Sequence, residues 1–130
     1  MRALLILIPV FSLLVASCAS VETVKEAKGE GTKRVYPYPY DMVFKATLKA
    51  AVQQKLEVVE SDKTAKRIVL SHGTTWLSWG ENIAIFLDPQ SPNATEVEIV
   101  SKPVMAPLNF PPEWDKILLD QIDKELGLKK

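Results

Sequence analysis

Cysteine and histidine are almost missing from this chain, with one of each in 130 residues. A single thiol excludes an internal disulfide framework, and one Cys with one His cannot build a zinc site from those ligands. Charge of one sign is missing too. Lys plus Arg and Asp plus Glu number 16 each. Nucleic-acid binding draws on a basic excess that releases counterions, so this balance does not point there. Glycine is scarce, at 5 residues, and no GxGxxG, P-loop or HExxH pattern occurs. The length supports one domain and excludes a multidomain enzyme. No cofactor and no metal are expected.

What is present begins at the N-terminus. Met1-Arg2 is a short basic start, and Ala3 to Val15 is a 13-residue uncharged stretch. As a helix it would rise roughly 20 Å at about 1.5 Å per residue, short of a hydrocarbon core of about 30 Å. Those are the proportions of a signal-peptide apolar region. Val15-Ala16-Ser17-Cys18 follows, placing an aliphatic residue and two small ones before the only cysteine.

Val15-Ala16-Ser17-Cys18 resembles the lipobox of bacterial lipoproteins. The resemblance implies cleavage between Ser17 and Cys18, with diacylglycerol attached to the Cys18 thiol. Only a thiol forms that thioether, and small side chains at 16 and 17 let an extended backbone enter a narrow protease site. Ala19 after the cysteine, in place of Asp, implies passage to an outer membrane, where the domain faces the periplasm. Two other readings stand beside it. Ordinary secretory cleavage after Ala19 would discard the thiol. An uncleaved core helix would carry Pro9 in mid-pattern and no polar face.

The expected organisation is a signal peptide over 1–17, a lipid-anchored flexible tether over 18–34, and one domain over 35–130. Residues 19–34 hold few large apolar side chains and two glycines, which predicts a coil reaching roughly 20–25 Å. Such a tether is dispensable to folding. Tyr36, Tyr38 and Tyr40 alternate with Pro37 and Pro39, either as a stacking ladder for sugars or peptides or as cover for an open flank. Asp41 is placed to cap a helix, with Phe44, Leu48, Ala51, Val52 and Leu56 as its apolar stripe, ending near Lys55. The period then becomes two. Strands are predicted over 56–61, 67–75, 82–87 and 95–102, with Val97 and Ile99 inward and Glu96 and Glu98 outward. Strands this close in sequence pair antiparallel. A proline-rich passage over 103–112 precedes a closing helix over 113–126, with Trp114, Ile117, Leu118, Ile122 and Leu126 on one stripe and Gly127 ending it.

The predicted fold class is therefore α+β, a two-layer sandwich with an antiparallel four- to five-stranded sheet and two helices packed on one face. Behind a lipobox, that order resembles the small helix-grip domains of BamC-type outer-membrane lipoproteins. Ser78-Trp79-Gly80-Glu81 and Glu96 to Pro103 resemble uncharacterised small bacterial α/β proteins of the same general shape, and the BamC likeness departs in having one domain instead of two.

No catalytic residues are expected. Ser71 and His72 are the only start for a hydrolase, and neighbours on one strand point to opposite faces. The unusual cluster is Trp76, Leu77 and Trp79, large apolar residues in a link between strands. Trp79 either folds back over the core beside Trp114 or joins Trp76 and Leu77 in an interaction surface. Two functions follow. The first is a non-catalytic, membrane-anchored envelope lipoprotein that docks other envelope proteins in an accessory or assembly role. The second is a periplasmic module holding a small apolar ligand between helices and sheet.

Overall fold

The computed structural model describes residues 21–105 and 110–128. The segment resembling a lipobox, with Ser17 and Cys18, lies outside the described residues. The element order is α1 (Val21–Lys25), β1 (Thr32–Tyr36), α2 (Tyr40–Gln53), β2 (Glu57–Asp62), β3 (Arg67–His72), β4 (Glu81–Ser91), β5 (Ala94–Pro103) and α3 (Trp114–Glu125). The five strands form one antiparallel sheet in the order β1-β5-β4-β3-β2. The α+β class, the antiparallel sheet and the packing of α2 and α3 on one face are as the alternation predicted.

Period-two apolar residues decide which side of the sheet does what. Ile68, Leu70, Ile83, Ile85, Leu87, Val97 and Ile99 meet Phe44, Ala51, Leu118, Leu119 and Ile122 from the two long helices. Their neighbours Val69, Ala84, Phe86 and Val100 face the other way and are also buried. The second face is covered by Val24 and Ala27.

That cover corrects the expected tether. Residues 21–34 form a short helix, a turn and the first part of the edge strand β1, which pairs Thr32 with Ile99 and Tyr36 with Thr95. Few apolar residues suffice there because the sheet supplies the rest of the contact. Val24 is fully buried, and Lys25 and Lys28 add ion pairs to Glu60 and Asp88 at 2.6 and 2.7 Å.

Other details differ from expectation for local reasons. Pro39, not Asp41, is the residue before α2, and no side chain caps that helix. Asp41 instead sits in the first turn, where the helix dipole favours an acid. The buried stripe of α2 is Val43, Phe44, Ala46, Thr47, Ala50 and Ala51, while Val52 is 65% exposed. Glu98 points away from the two long helices as predicted, yet only 2% of it is exposed because the Gly29–Gly31 turn lies over it. Strand β4 continues through Pro89, which sits at a register shift between Pro89 and Ser91. A proline there sacrifices little, since bulges already interrupt the ladder.

The tyrosines close the flank. The Tyr36 hydroxyl donates to the Leu119 carbonyl at 3.2 Å, Tyr38 to Leu126 at 3.3 Å and Tyr40 to Lys63 at 2.9 Å. Tyr36 is 1% exposed, so its ring has no face left for stacking on a ligand. Beside it Arg34 reaches Asp123 at 2.7 Å.

Two outcomes follow from this packing. Val24→Ala removes two buried carbons, so it should cost about 2 kcal/mol and lower Tm by about 10 °C in a thermal melt; a tether residue would change nothing. Burial and nearby Asp123 hold the Tyr36 hydroxyl well above the ordinary tyrosine value of 10.0. Below pH 10 its contribution to stability is complete. Above it the unfolded chain releases a proton that the folded chain keeps, so stability falls as pH rises, by up to about 1.4 kcal/mol per pH unit. Burial moves Tyr40 the same way. Urea titrations between pH 9 and 11 should therefore show a downward slope that Tyr36→Phe makes shallower.

Candidate functional site

The β3–β4 link leaves the sheet at His72 and returns at Glu81, which are directly opposite each other in the ladder. Glu81 is fully buried and holds the base of the loop together. One carboxylate oxygen lies 2.6 Å from His72 Nδ1, and the other accepts the Ser78 hydroxyl at 2.6 Å. With its proton on Nδ1, the His72 ring donates this bond to the carboxylate. Ser78 Oγ accepts from the Gly80 amide at 3.0 Å. Thr75 N–H donates to the Ser78 carbonyl at 2.7 Å, and Thr74 Oγ1 to the Trp79 carbonyl at 2.9 Å. Gly80 takes φ +99°, and a Cβ there would press on the His72 carbonyl at 2.6 Å, so the return into β4 needs glycine.

Ser78, Glu81 and His72 have the residue types of a hydrolytic triad in the wrong order. A nucleophilic serine gives its proton to an imidazole that an acid orients from behind. Here the carboxylate stands in the middle and takes the hydroxyl itself. The arrangement binds a loop together instead of activating an oxygen. Ser71 faces the opposite side of β3 from His72, as strand alternation requires.

The loop carries the predicted interaction residues outward. Trp76 is 91% exposed, Leu77 46% and Trp79 49%. Trp79 therefore does not fold back over the core. The ring lying against Trp114 is that of His72, edge-on with centroids 4.8 Å apart. Trp114 is buried at the start of α3.

Sequence reading missed the second half of this surface. Phe110 N–H donates to the Leu77 carbonyl at 3.0 Å, and Val104 N–H to the Gly80 carbonyl at 2.9 Å. These bonds bring the proline-rich segment alongside the loop, and with it Met105 and Phe110, 46% and 68% exposed. Neither 73–80 nor 103–112 contains a charged residue, although a quarter of the chain is charged. That shared lack of charge was the signal available in the sequence.

The volume between helices and sheet is filled. Leu70, Ile83, Ile85, Leu118, Leu119 and Ile122 are 0–1% exposed there. Grooves of about 350, 300 and 460 Å³ open on the outer surface, and no group of three or more metal-ligating side chains occurs among the described residues.

Removing the carboxylate tests its role as a clamp. Glu81→Ala strands the Ser78 hydroxyl and the imidazole, and should cost about 2–3 kcal/mol. Glu81→Gln keeps an acceptor and should lose less. Thermal melts of the two variants check the order.

No curated protein matches the chain. A family described as a protein of unknown function, DUF3568, matches residues 2–100, from the N-terminal segment through most of β5. The match covers well over half of the sequence, and the chain belongs to the DUF3568 family.

Proposed function

We propose that this protein is a non-catalytic envelope lipoprotein, anchored through Cys18 and facing the periplasm from the outer membrane, whose domain docks another envelope protein. The observation that carries the reading is the uncharged end built by Trp76, Leu77, Trp79, Met105 and Phe110. Large apolar side chains held outward by a hydrogen-bonded loop are what a docking partner buries, and tryptophan is enriched where binding energy concentrates. The clamp beneath them supplies rigidity, which reduces the entropy lost on association. The order of groups around Glu81 supports a structural role over a catalytic one.

The anchor in this reading sits close to the domain. Helix α1 begins three residues after Cys18, a span of about 10 Å at full extension. The domain thus works near the bilayer surface, within reach of partners that are themselves membrane-bound.

A photo-crosslinking residue at position 76, introduced in cells, tests the reading. It should trap one envelope protein in native membranes, and the crosslink should disappear when Cys18→Ser prevents lipid attachment and retention. Trp76→Ala should change stability by about 0.5 kcal/mol or less, whereas Trp114→Ala should cost about 3–5 kcal/mol. Equal melting of the two would place Trp76 in the core and remove the docking surface. Equal palmitate labelling of wild type and Cys18→Ser would remove the anchor.

A further inference from the structure

We infer that the upper edge of β5 is a second contact, one that takes an extended, basic polypeptide segment of the docked partner as an added strand. The inference rests on the docking reading and names the chemistry of what is docked. Strand β5 runs from Ala94 to Pro103, but β1 covers it only from Thr95 to Ile99. Among the described residues, 100–103 therefore have β4 on one side and no strand on the other.

The direction of the free backbone groups follows from the ladder. Val104 N–H donates to Gly80 on the β4 side. Alternate residues of a strand turn their amide and carbonyl the same way, so Val100 and Lys102 also face β4. Ile99, Ser101 and Pro103 face the other way. Ile99 is met there by Thr32. Ser101 has no strand partner in that register among the described residues, and its N–H and C=O point along the edge where β1 would continue.

Why β1 does not continue is set by Gly31. The chain crosses tightly over the Ile99 carbonyl at this residue, where a Cβ would collide with that oxygen. It then drops beneath the sheet to Glu98, which accepts the Gly31 and Gly29 amides at 3.0 and 2.9 Å. The vacated edge opens onto a groove of about 350 Å³, with Ser101 and Lys102 on one side and Pro111, Pro112 and Trp114 on the other. Prolines have no N–H, so that wall does not compete for the carbonyls of an incoming strand.

Length and charge define the occupant. Four residues of edge at about 3.3 Å each accept a segment of three to five residues. Glu30, Glu113 and Asp115 line the groove against Lys102 alone, and Lys102 already pairs with Glu30 at 3.6 Å. The net acidic rim favours Lys or Arg at the positions that flank the paired backbone. The groove adjoins the aromatic end through Phe110 and Pro111, so one partner reaches both.

The test uses the full chain purified from its membranes in detergent. A fluorescein-labelled, end-blocked Lys-Val-Lys-Val-Lys peptide is the probe, followed by anisotropy, with exchange of the Ser101 amide read by NMR. Binding should slow that exchange at least tenfold. Methylation of the valine nitrogens should weaken binding at least tenfold, and so should a Glu-Val-Glu-Val-Glu sequence. Ser101→Pro, which removes the outward N–H without touching the β4 ladder, should also weaken it tenfold. Glu113→Lys should weaken it at least threefold with unchanged melting, which covers the case in which Ser101→Pro fails to fold. Absence of peptide binding overturns the inference, as does equal affinity for the methylated or the acidic peptide. Slowed Ser101 exchange that grows with protein concentration alone would assign the edge to a second copy of the chain and overturn it too. Crosslinking at position 76 reads the aromatic end independently, so loss of either contact is distinguishable from loss of the other.

Discussion

The Glu98 carboxylate is the constraint from which the rest of this architecture follows. It is 2% exposed, on the face of β5 turned away from α2 and α3. It accepts the amides of Gly29 and Gly31 at 2.9 and 3.0 Å. Hydrogen bonds to a charged acceptor contribute about 1.5–3 kcal/mol each, and a buried carboxylate without them would be strongly destabilising. The turn that satisfies Glu98 fixes where α1 ends and where β1 begins. With α1 in place, Val24 and Ala27 cover Val69, Ala84, Phe86 and Val100. With β1 starting at Thr32, the last residues of β5 have no strand paired on that side among the described residues. One carboxylate thereby closes the second face of the sheet and opens its edge.

The two ends of the sheet are finished by opposite chemistry. At the β1 C-terminal end, tyrosine hydroxyls tie the flank to backbone carbonyls of α3 and of the β2–β3 turn. At the other end, hydroxyls and one carboxylate point inward while the large apolar side chains point out. A loop of eight residues with exposed tryptophans has little burial to order it. Ser78, Thr74 and Thr75 replace that burial with hydrogen bonds anchored on Glu81. Such a loop presents a preorganised apolar surface instead of collapsing onto the core.

Legibility in the sequence tracked the physical range of each signal. Alternation along 67–72, 82–87 and 95–102 reported burial directly, and both long helices announced themselves by period and by Gly127. Helix α1 has only five residues, and its partner residues lie more than 40 positions away. No local pattern reveals a helix whose apolar face is mostly supplied by a distant sheet. Glu98 was read as a solvent-facing charge because alternation gives direction and not cover. His72 and Glu81 are nine apart and meet only because the register pairs them. Trp76, Leu77 and Trp79 stood out in the sequence because turns are ordinarily polar. Met105 and Phe110 did not, since a proline-rich segment discloses nothing of what it lies against.

Trp114 joins the surfaces. Its ring supports His72, which bonds Glu81, which holds Ser78 and the tryptophan loop. The same Trp114 lines the groove beside Ser101, and Pro111 and Pro112 connect it to Phe110 on the aromatic end. The loop and the edge thus stand on one packed side chain, and a change to that side chain disturbs both. Residues sharing such a support do not contribute additively. A substitution at Trp114 reports on the foundation, whereas Trp76 and Ser101, each at the far end of a separate arm, report on the two proposed contacts one at a time.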